Sequence, residues 1–414
     1  MKSLEILYKE LDFASGDLLK ATDNPSSCPK QSDWLEKGEW LAAAKRARAE
    51  KVFFVENNPV AVFAECGTDV EEKVKAFNRA WCLARPRLLF LASPGEITIY
   101  DLAQKPVAEK NQDEWKNLKY LALLHDIKRI SMDLQQFHRD NIESGHIFGD
   151  KRFGDLKNRA DKALISDLKT VRSELIAAGL SGENVRFAHA LIGRSIFIRY
   201  LEDRGVLTES YFRKVAGKNA DWADLQVNPP ERTGIDFSEK KTFYQRVLTN
   251  KAFTYRLFRA LADDFNGDMF PDVKTEEQIV SQKHLTKIQG LLYGDTGIQK
   301  KLFFYSYRFD IIPLDLISSI YEEFYHSSAS EDIKKSKARQ GGAYYTPPVL
   351  AEFLLSRVLT LETIKKTPRI LDPACGSGIF LVEAFRRIVR YQWHRKESPL
   401  TLDELKNILK EQIA

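Results

Sequence analysis

The sequence predicts a protein of the α/β class overall, with an α+β N-terminal domain at 1–115, a helical connector domain at 116–330 and a further α/β domain at 331–414. Three observations predict this. Short apolar runs alternate with turn residues near the N-terminus, helical periodicity dominates the middle, and a strand, a glycine-rich turn and a helix follow one another in the last region. No segment of 20–50 residues repeats, which argues against a solenoid.

Composition excludes two broad classes. Hydrophobic residues make up 43% and charged residues 29% of the 414 residues, so the chain is neither disordered nor dominated by membrane spans. The 63 Lys+Arg exceed the 58 Asp+Glu by five, and this mildly basic balance permits a nucleic-acid partner without requiring one.

Cysteines and the N-terminus indicate the compartment. Cys28, Cys66, Cys82 and Cys375 form no CxxC pair and are too scattered for a disulfide scaffold or a zinc site. No apolar run approaches the ~18 residues of a membrane span, and the first residues carry no signal-peptide pattern. We therefore expect a cytoplasmic protein without membrane segment or metal site; the seven histidines show no ligand spacing.

The N-terminal domain is predicted to contain two β-hairpins around one helix. Asn57 to Pro59 and the pair Pro94-Gly95 are turn signals between apolar runs. Val74, Phe77 and Trp81 recur at helical spacing between the hairpins. The predicted strands are 52–55, 59–64, 87–92 and 97–100, and the predicted helix is 70–85.

The strand pair at 52–65, the helix after it and the strand that follows suit the topology of a nuclease of the PD-(D/E)xK type, which holds Mg²⁺ with carboxylates and a lysine. The second strand ends in Phe63-Ala64-Glu65-Cys66-Gly67, which contains no E-x-K. We therefore expect no active nuclease, although Glu56 or Glu65 could be relics of such a site.

The middle region is mostly helical. Its clearest helix is 188–207, an amphipathic pattern in which Ile192 and Ile196 are apolar, Arg199 and Glu202 are charged, and Gly205 stands at the C-cap. A second amphipathic helix is predicted at 314–324, and polar loops are predicted at 218–240 and 327–339. The basic residues of 334–339 could contact DNA phosphates, or simply form a solvated linker.

The most informative segment is the string from Arg369 to Leu381. An apolar strand ends at Asp372 and a proline, a Gly-Ser-Gly turn follows, and an amphipathic helix begins. Glycines let the backbone approach a ligand, and an acid at a strand tip can accept from a ligand ammonium or hydroxyl. The string is not a dinucleotide fingerprint, because Leu381 stands where the third glycine belongs, and no Lys-Ser/Thr pair makes it a P-loop. A purely structural glycine turn is the alternative.

The string DPACGSGIFL resembles the S-adenosylmethionine (AdoMet) motif of N6-adenine DNA methyltransferases. The segment Gly342–Pro347, 30 residues upstream, is similar to the segment that precedes this motif in the same enzymes, and Pro347 or Pro348 opens a helix with an apolar face. Residues 180–395 resemble, more loosely, large single-chain restriction-modification methylases of the type IIG kind. Packed core helices would explain those looser matches equally well. The predicted apolar face of the helix comprises Leu350, Phe353, Leu354 and Val358.

The resemblance implies the start of a Rossmann-like AdoMet-dependent methyltransferase domain, truncated in this sequence. It also implies AdoMet as cofactor, double-stranded DNA as partner and methyl transfer to adenine N6 within a restriction-modification or phage-defence system. Among the implied cofactor-binding residues, Tyr345 and Thr346 contact the methionine part, Asp372 accepts from the amino group, Ala374, Gly376 and Gly378 give backbone contacts, and Phe380 packs behind the loop.

The catalytic Asn/Asp-Pro-Pro-aromatic segment of such enzymes is not found. Asn228-Pro229-Pro230-Glu231 has Glu in place of the aromatic residue and precedes the cofactor motifs, so we expect no catalytic residue in this chain. We expect instead the N-terminal part of a larger enzyme, whose remaining methyltransferase and target-recognition parts come from further polypeptide or a second chain. The alternatives are a non-catalytic DNA-binding or scaffold fragment and an AdoMet-dependent methylase of RNA or protein; Gly342–Pro347 argues against the last.

Overall fold

The computed structural model describes residues 3–109, 112–225, 242–265, 273–293, 307–313, 346–376 and 378–413. Within these ranges the protein is a mixed α/β structure with one six-stranded sheet and many helices. The strands are β1 Asp17–Lys20, β2 Lys51–Val55, β3 Asn58–Glu65, β4 Leu88–Ser93, β5 Glu96–Asp101 and β6 Ala122–Leu124.

Helices make up most of the rest. The short 3₁₀ turns are Phe13–Ser15, Pro25–Ser27, Ile127–Arg129, Gln135–Phe137, His146–Gly149, Leu156–Asn158, Gly182–Asn184 and Ala220–Trp222. The α-helices are α1 Ser3–Glu10, α2 Gln31–Arg46, α3 Val70–Trp81, α4 Gln112–Trp115, α5 Ile130–Asp133, α6 Arg139–Glu143, α7 Ala160–Ala177, α8 Val185–Asp203, α9 Glu209–Ala216, α10 Tyr244–Val247, α11 Lys251–Phe265, α12 Val273–Ile279, α13 Gln282–Tyr293, α14 Pro348–Val358, α15 Leu361–Lys365, α16 Ile379–Lys396 and α17 Leu402–Gln412.

The sheet runs in chain order from β1 to β6. All neighbours are antiparallel except β3 and β4, which are parallel because α3 carries the chain back between them. Both predicted hairpins are confirmed, but the first turn is formed by Glu56 and Asn57, and Asn58 and Pro59 already belong to β3. In the second turn Gly95 has a φ of 84°, as the second position of the β4–β5 turn requires. Helix α3 ends four residues before the predicted residue 85, and Ala84 then takes a left-handed φ of 64°.

Alternate residues of the strands pack into two separate buried clusters, one on each face of the sheet. Because both faces are covered, β4 is buried along its whole length, and the sequence shows an apolar run rather than alternation. One face packs against α2, α3 and the helical region; the strand residues there include Val52, Phe54, Val62, Leu89, Leu91 and Tyr100. The other face packs against α1 and the segment after β6; its strand residues include Phe53, Phe63, Leu88, Phe90, Ile97 and Ile99.

The sheet continues past residue 115, where the sequence analysis ends the N-terminal domain. Strand β6 pairs with β5, and Ile130, Leu134 and Phe137 cover the same face of the sheet as α1. The sequence signal for β6 is weak because the strand has only three residues. The division into three domains stays a prediction.

Helix α8 begins three residues before the predicted residue 188, and Gly205 follows its end with a φ of 71°. Its charged residues do not form a solvent-exposed face. Arg199 is buried and pairs with Glu202 at 2.8 Å and with Asp203 at 3.0 Å. Glu202 in turn accepts the N–H groups of Phe243 and Tyr244. The charges on this helix therefore hold elements together inside the helical region.

The C-terminal region packs around a third cluster. Ala384, Ile388 and Tyr391 of α16 pack with residues of α14, α15 and α17. The predicted strand at 369–372 is represented by one parallel bridge, from Ile370 to Ile413. The predicted helix 314–324, the loop 327–339, the basic residues 334–339 and residues 226–240 of the predicted loop 218–240 lie outside the described residues; the described part of that loop contains the 3₁₀ turn Ala220–Trp222. In the parts of the chain that are described, no helix is long and apolar enough to cross a membrane.

Candidate cofactor site

The glycine-rich segment forms a tight loop between the Ile370 bridge and α16. Gly376 and Gly378 have φ values of 54° and 79°, a region that residues with a Cβ adopt at a cost. The Gly378 N–H donates to the Cys375 carbonyl at 2.7 Å and closes the turn. Ser377 lies outside the described residues. The glycines of the motif are thus required by backbone conformation.

The space beside the loop is open. A Cβ at Gly376 or Gly378 would meet no atom within 4 Å, and residues 373–376 are exposed. A ligand can therefore approach the backbone here without displacing protein atoms. At residue 379 the loop passes into α16, an 18-residue helix without a side-chain cap. The first N–H groups of such a helix have no intrahelical acceptor and carry partial positive charge.

Asp372 is partly exposed and lies two residues after the Ile370 bridge, which is all that the structure has of the predicted strand. Its Oδ1 accepts the Ala374 N–H at 3.1 Å, which holds the side chain against the loop. Within the described ranges no protein group bonds its Oδ2, so one carboxylate oxygen can accept from a ligand ammonium or hydroxyl. Ala374 lies on the exposed loop, and Phe380 is partly buried against the C-terminal cluster.

Thr346 is partly exposed and directly precedes Pro347, the N-cap of α14. Helix α14 therefore begins as predicted, at Pro348. Helices α14 and α16 share the C-terminal cluster, so the structure brings the helices that follow the two motifs into one packed unit. Tyr345 and most of Gly342–Pro347 lie outside the described residues, as does Asn228-Pro229-Pro230-Glu231.

The predicted apolar face of α14 is not its buried face. Ala351, Leu355 and Leu359 are the buried positions. The sequence could not distinguish the two, because apolar residues surround most of this helix and periodicity then selects no single side. The exposed side chains are Val349, Leu350, Phe353, Leu354 and Val358, which are between 41% and 69% exposed. These five side chains are called the α14 apolar surface below.

The two carboxylates considered as nuclease relics lie far apart. Glu56 is in the β2–β3 turn and Glu65 ends β3, so about seven residues at ~3.3 Å each separate them. Glu65 instead lies at the end of the sheet where Glu5, Glu50 and Tyr8 meet.

The sequence did not indicate that Glu5 and Glu50 come together beside Tyr8, because α1 and the start of β2 are distant in the chain. The Tyr8 hydroxyl donates to Glu50 at 3.4 Å, and burial, followed by the charges of Glu50 and Glu5, raises the pKa of Tyr8. Lys51 pairs with Glu5 at 3.2 Å and lies over the Tyr8 ring. Among the described residues, no group of three or more His, Cys, Asp or Glu side chains is placed to hold a metal ion.

Comparison with known proteins finds a family model that matches part of the C-terminal region. Residues 313–404 match the model of the N-6 DNA Methylase family, and this range contains Thr346, Asp372 and the glycine loop. No curated protein matches the chain. One solved structure, described as "cryoEM structure DrdV-DNA complex", is similar with a TM-score of 0.26 and 12% identity over 94% of this chain and 36% of that one. This chain thus spans little more than a third of the length of that protein, and so low a TM-score carries no argument.

Proposed function

We propose that this chain carries the AdoMet-binding part of a DNA methyltransferase that methylates adenine N6, acting in a restriction-modification or phage-defence system in the cytoplasm. The loop Asp372–Gly378, which leads into α16 within the segment matching the N-6 DNA Methylase family, is the observation that carries this proposal. The DNA partner and the adenine specificity rest on the family match and on the sequence resemblance.

The described residues fit AdoMet in chemical character. The cofactor supplies a methyl group on a positively charged sulfur, together with an ammonium, a carboxylate and ribose hydroxyls. Asp372 has a carboxylate oxygen available for the ammonium or a hydroxyl. The open space at Gly376 and Gly378 admits the ligand against the backbone. Tyr345 and Thr346 are proposed at the methionine end by resemblance, with Ala374 in backbone contact and Phe380 behind the loop.

Methyl transfer needs one more group. In enzymes of this kind the Asn/Asp-Pro-Pro-aromatic segment accepts the hydrogens of the adenine amine, which aims the nitrogen lone pair at the methyl group, and its aromatic ring stacks on the flipped base. The string Asn228-Pro229-Pro230-Glu231 lacks that ring. We therefore propose that further polypeptide, in the same protein or in a second chain, supplies the catalytic segment and the recognition of DNA sequence.

The α14 apolar surface supports the proposal that further polypeptide packs on this chain. Leu371 is a further exposed apolar residue of this region, 71% exposed and next to the parallel bridge at Ile370. Parallel strands occur almost only where helices cover both faces of the sheet, and an exposed apolar patch on a soluble domain marks an interaction site. Additional strands and helices of a methyltransferase domain would cover these side chains.

A non-catalytic scaffold is the second candidate, and the missing catalytic segment favours it. Calorimetric titration of the 414-residue chain with AdoMet separates the two candidates. We expect saturable binding by the wild type and at least a tenfold loss for Asp372→Ala, because a charge-assisted hydrogen bond to the ammonium is removed. Asp113→Ala, in the distant helix α4, is the control. A folded wild-type chain that binds no AdoMet would favour the scaffold.

The missing segment can be sought directly. Reading the coding sequence beyond the codon for Ala414 should find Asn/Asp-Pro-Pro-Tyr/Phe in frame or in an adjacent reading frame. A genome that codes for no such segment nearby would leave the chain without a route to methyl transfer.

A further inference from the structure

Helix α2 of the N-terminal sheet domain contributes to the core of the cofactor region. Leu35 of α2 is buried in the same cluster as Leu355, Ile388 and Tyr391, although all other members of that cluster come from residues 355–413. Beside it, Trp34 packs edge-to-face on Trp393 of α16 with ring centroids 5.7 Å apart. The loop Asp372–Gly378, proposed above to bind AdoMet, is called the AdoMet loop here. Helix α16, which follows it, therefore packs on the N-terminal domain as well as on the C-terminal region.

Arg387 of α16 ties three elements together. Its Nη1 donates to Glu36 of α2 at 2.6 Å, and its Nη2 donates to the other oxygen of the same carboxylate. Its Nε donates to the Leu359 carbonyl at 3.1 Å, at the C-terminal end of α14. The Arg387 side chain is only 5% exposed, and a bidentate pair of this kind has one preferred orientation.

Two neighbouring arginines of α16 also form ion pairs with a carboxylate of α2. Arg386 and Arg390 stand on the same part of α16 and pair with Glu39 of α2 and with Glu383 of α16. All of these side chains are a fifth exposed or less. Burial and the charge of Arg390 lower the pKa of Arg386, because both disfavour the charged form of its guanidinium group.

Helix α2 supplies much of the compensating charge. The ion pairs of Arg386, Arg387 and Arg390 described above use one carboxylate from α16 itself and two from α2, Glu36 and Glu39. Removing one partner of a buried ion pair leaves an uncompensated charge, which is strongly unfavourable. The position of α16 therefore depends on α2.

The AdoMet loop has few other anchors. Within the described residues, it is held by the Ile370 bridge, by the Asp372 bond to Ala374 and by the turn that Gly378 closes. Beyond these it continues directly into α16. Arg387 lies nine residues after Gly378, about 13 Å along the helix axis. A shift of α16 at Arg387 is carried to the loop because a helix moves as a rigid rod.

We infer that Glu36 of the N-terminal sheet domain is a positioning residue for the AdoMet loop: through Arg387 it fixes α16, so that AdoMet affinity depends on the N-terminal domain. The inference rests on the proposed function. It assigns a role in cofactor binding to a helix that lies outside the segment matching the methylase family.

The first test is hydrogen exchange of the 414-residue chain without ligand. Glu36→Gln removes the charge while retaining the shape, and we expect faster exchange of amides in residues 376–390 with no change in the strands of the sheet. Asp33→Asn is the matched control: it lies on the same helix and pairs with Lys37 of that helix rather than with α16. Unchanged exchange at 376–390, or an equal effect of Asp33→Asn, would overturn the inference.

The second test is AdoMet affinity by calorimetry. We expect Glu36→Gln to weaken binding about tenfold, Asp33→Asn to leave it unchanged, and Glu36→Gln with Arg387→Gln to cost less than the sum of the single changes. Additive effects, or wild-type affinity in Glu36→Gln, would overturn the inference. If Glu36→Gln does not fold, Glu36→Asp replaces it. Aspartate retains the charge, but its shorter side chain weakens the bidentate pair with Arg387, so we expect smaller changes of the same sign in hydrogen exchange and in AdoMet affinity.

The two proposals fail in distinguishable ways. Absence of AdoMet binding by the folded wild-type chain contradicts the proposed function. Exchange at 376–390 needs no ligand, so it still decides whether Glu36 positions the loop.

Discussion

At the scale of single residues, the same amino acid serves different purposes in this chain. Gly376 and Gly378 have left-handed backbone conformations, whereas Gly193 lies inside α8 with ordinary helical geometry. A Cβ added at any of the three would meet no atom within 4 Å. Steric crowding therefore explains the need for glycine at none of these positions. Backbone conformation alone decides which of these glycines is needed.

Replacement of two of these glycines by alanine should therefore have opposite effects. Gly376→Ala should destabilise the loop by about 1 kcal/mol, because a Cβ disfavours its positive φ. Gly193→Ala should stabilise α8 by about 0.5–1 kcal/mol, because alanine is the better helix former. Hydrogen exchange of α16 and α8 measures each element separately. A neutral Gly376→Ala would show that the loop does not require the left-handed conformation.

At the scale of elements, α14 shows which side of an apolar helix is buried. The side that carries Ala351 and Leu355 packs on the cluster shared with α16, and the α14 apolar surface faces outward. The free energy of packing therefore comes from one side of the helix, while the other remains available for association.

Substitutions on the two sides of α14 should separate stability from self-association. Phe353→Ser combined with Leu354→Ser should leave the unfolding midpoint nearly unchanged and reduce light scattering at high protein concentration. Leu355→Ala should destabilise by about 2–5 kcal/mol, because it leaves a cavity in the cluster. If the serine variant lost as much thermal stability as Leu355→Ala, the side of α14 that carries Phe353 and Leu354 would have to pack within this chain.

At the scale of the whole molecule, residues 307–313 join the N-terminal and helical regions. The Tyr307 ring lies 5.1 Å from the Trp81 ring of α3, and its hydroxyl donates to Asp167 of α7 at 3.1 Å. Two residues further on, the Phe309 N–H donates to Asp203 at the end of α8. Because three distant parts of the sequence meet here, a charge at this junction affects the stability of the whole fold.

The carboxyl of Asp167 makes that stability depend on pH. Burial raises its pKa from 3.8 to about 6, although the Tyr307 hydrogen bond acts in the opposite direction. Between about pH 4 and 6 the folded state binds more protons than the unfolded state, so this carboxyl lowers stability as pH rises through that window. Asp167→Asn should therefore stabilise the fold at pH 7.5.

Thermal unfolding at two pH values checks this prediction. The gain from Asp167→Asn should shrink towards zero near pH 4, where the folded wild type carries the neutral carboxyl. Asp161→Asn, also on α7 and paired with Arg159, is the control. An equal gain at both pH values would contradict the assigned cause.

The sequence by itself determined the locally encoded features: both hairpins, Gly95 in the β4–β5 turn, the start of α14 at Pro348 and the glycine-rich loop that leads into α16. These depend on turn chemistry and periodicity, which act between residues close in the chain. Only the tertiary structure decided which side of α14 is buried, that Arg199 and Glu202 of α8 lie inside, that β6 extends the sheet, and that Glu36 meets Arg387. Those outcomes depend on partners far apart in the chain, and amphipathic patterns do not name the element that a face will meet.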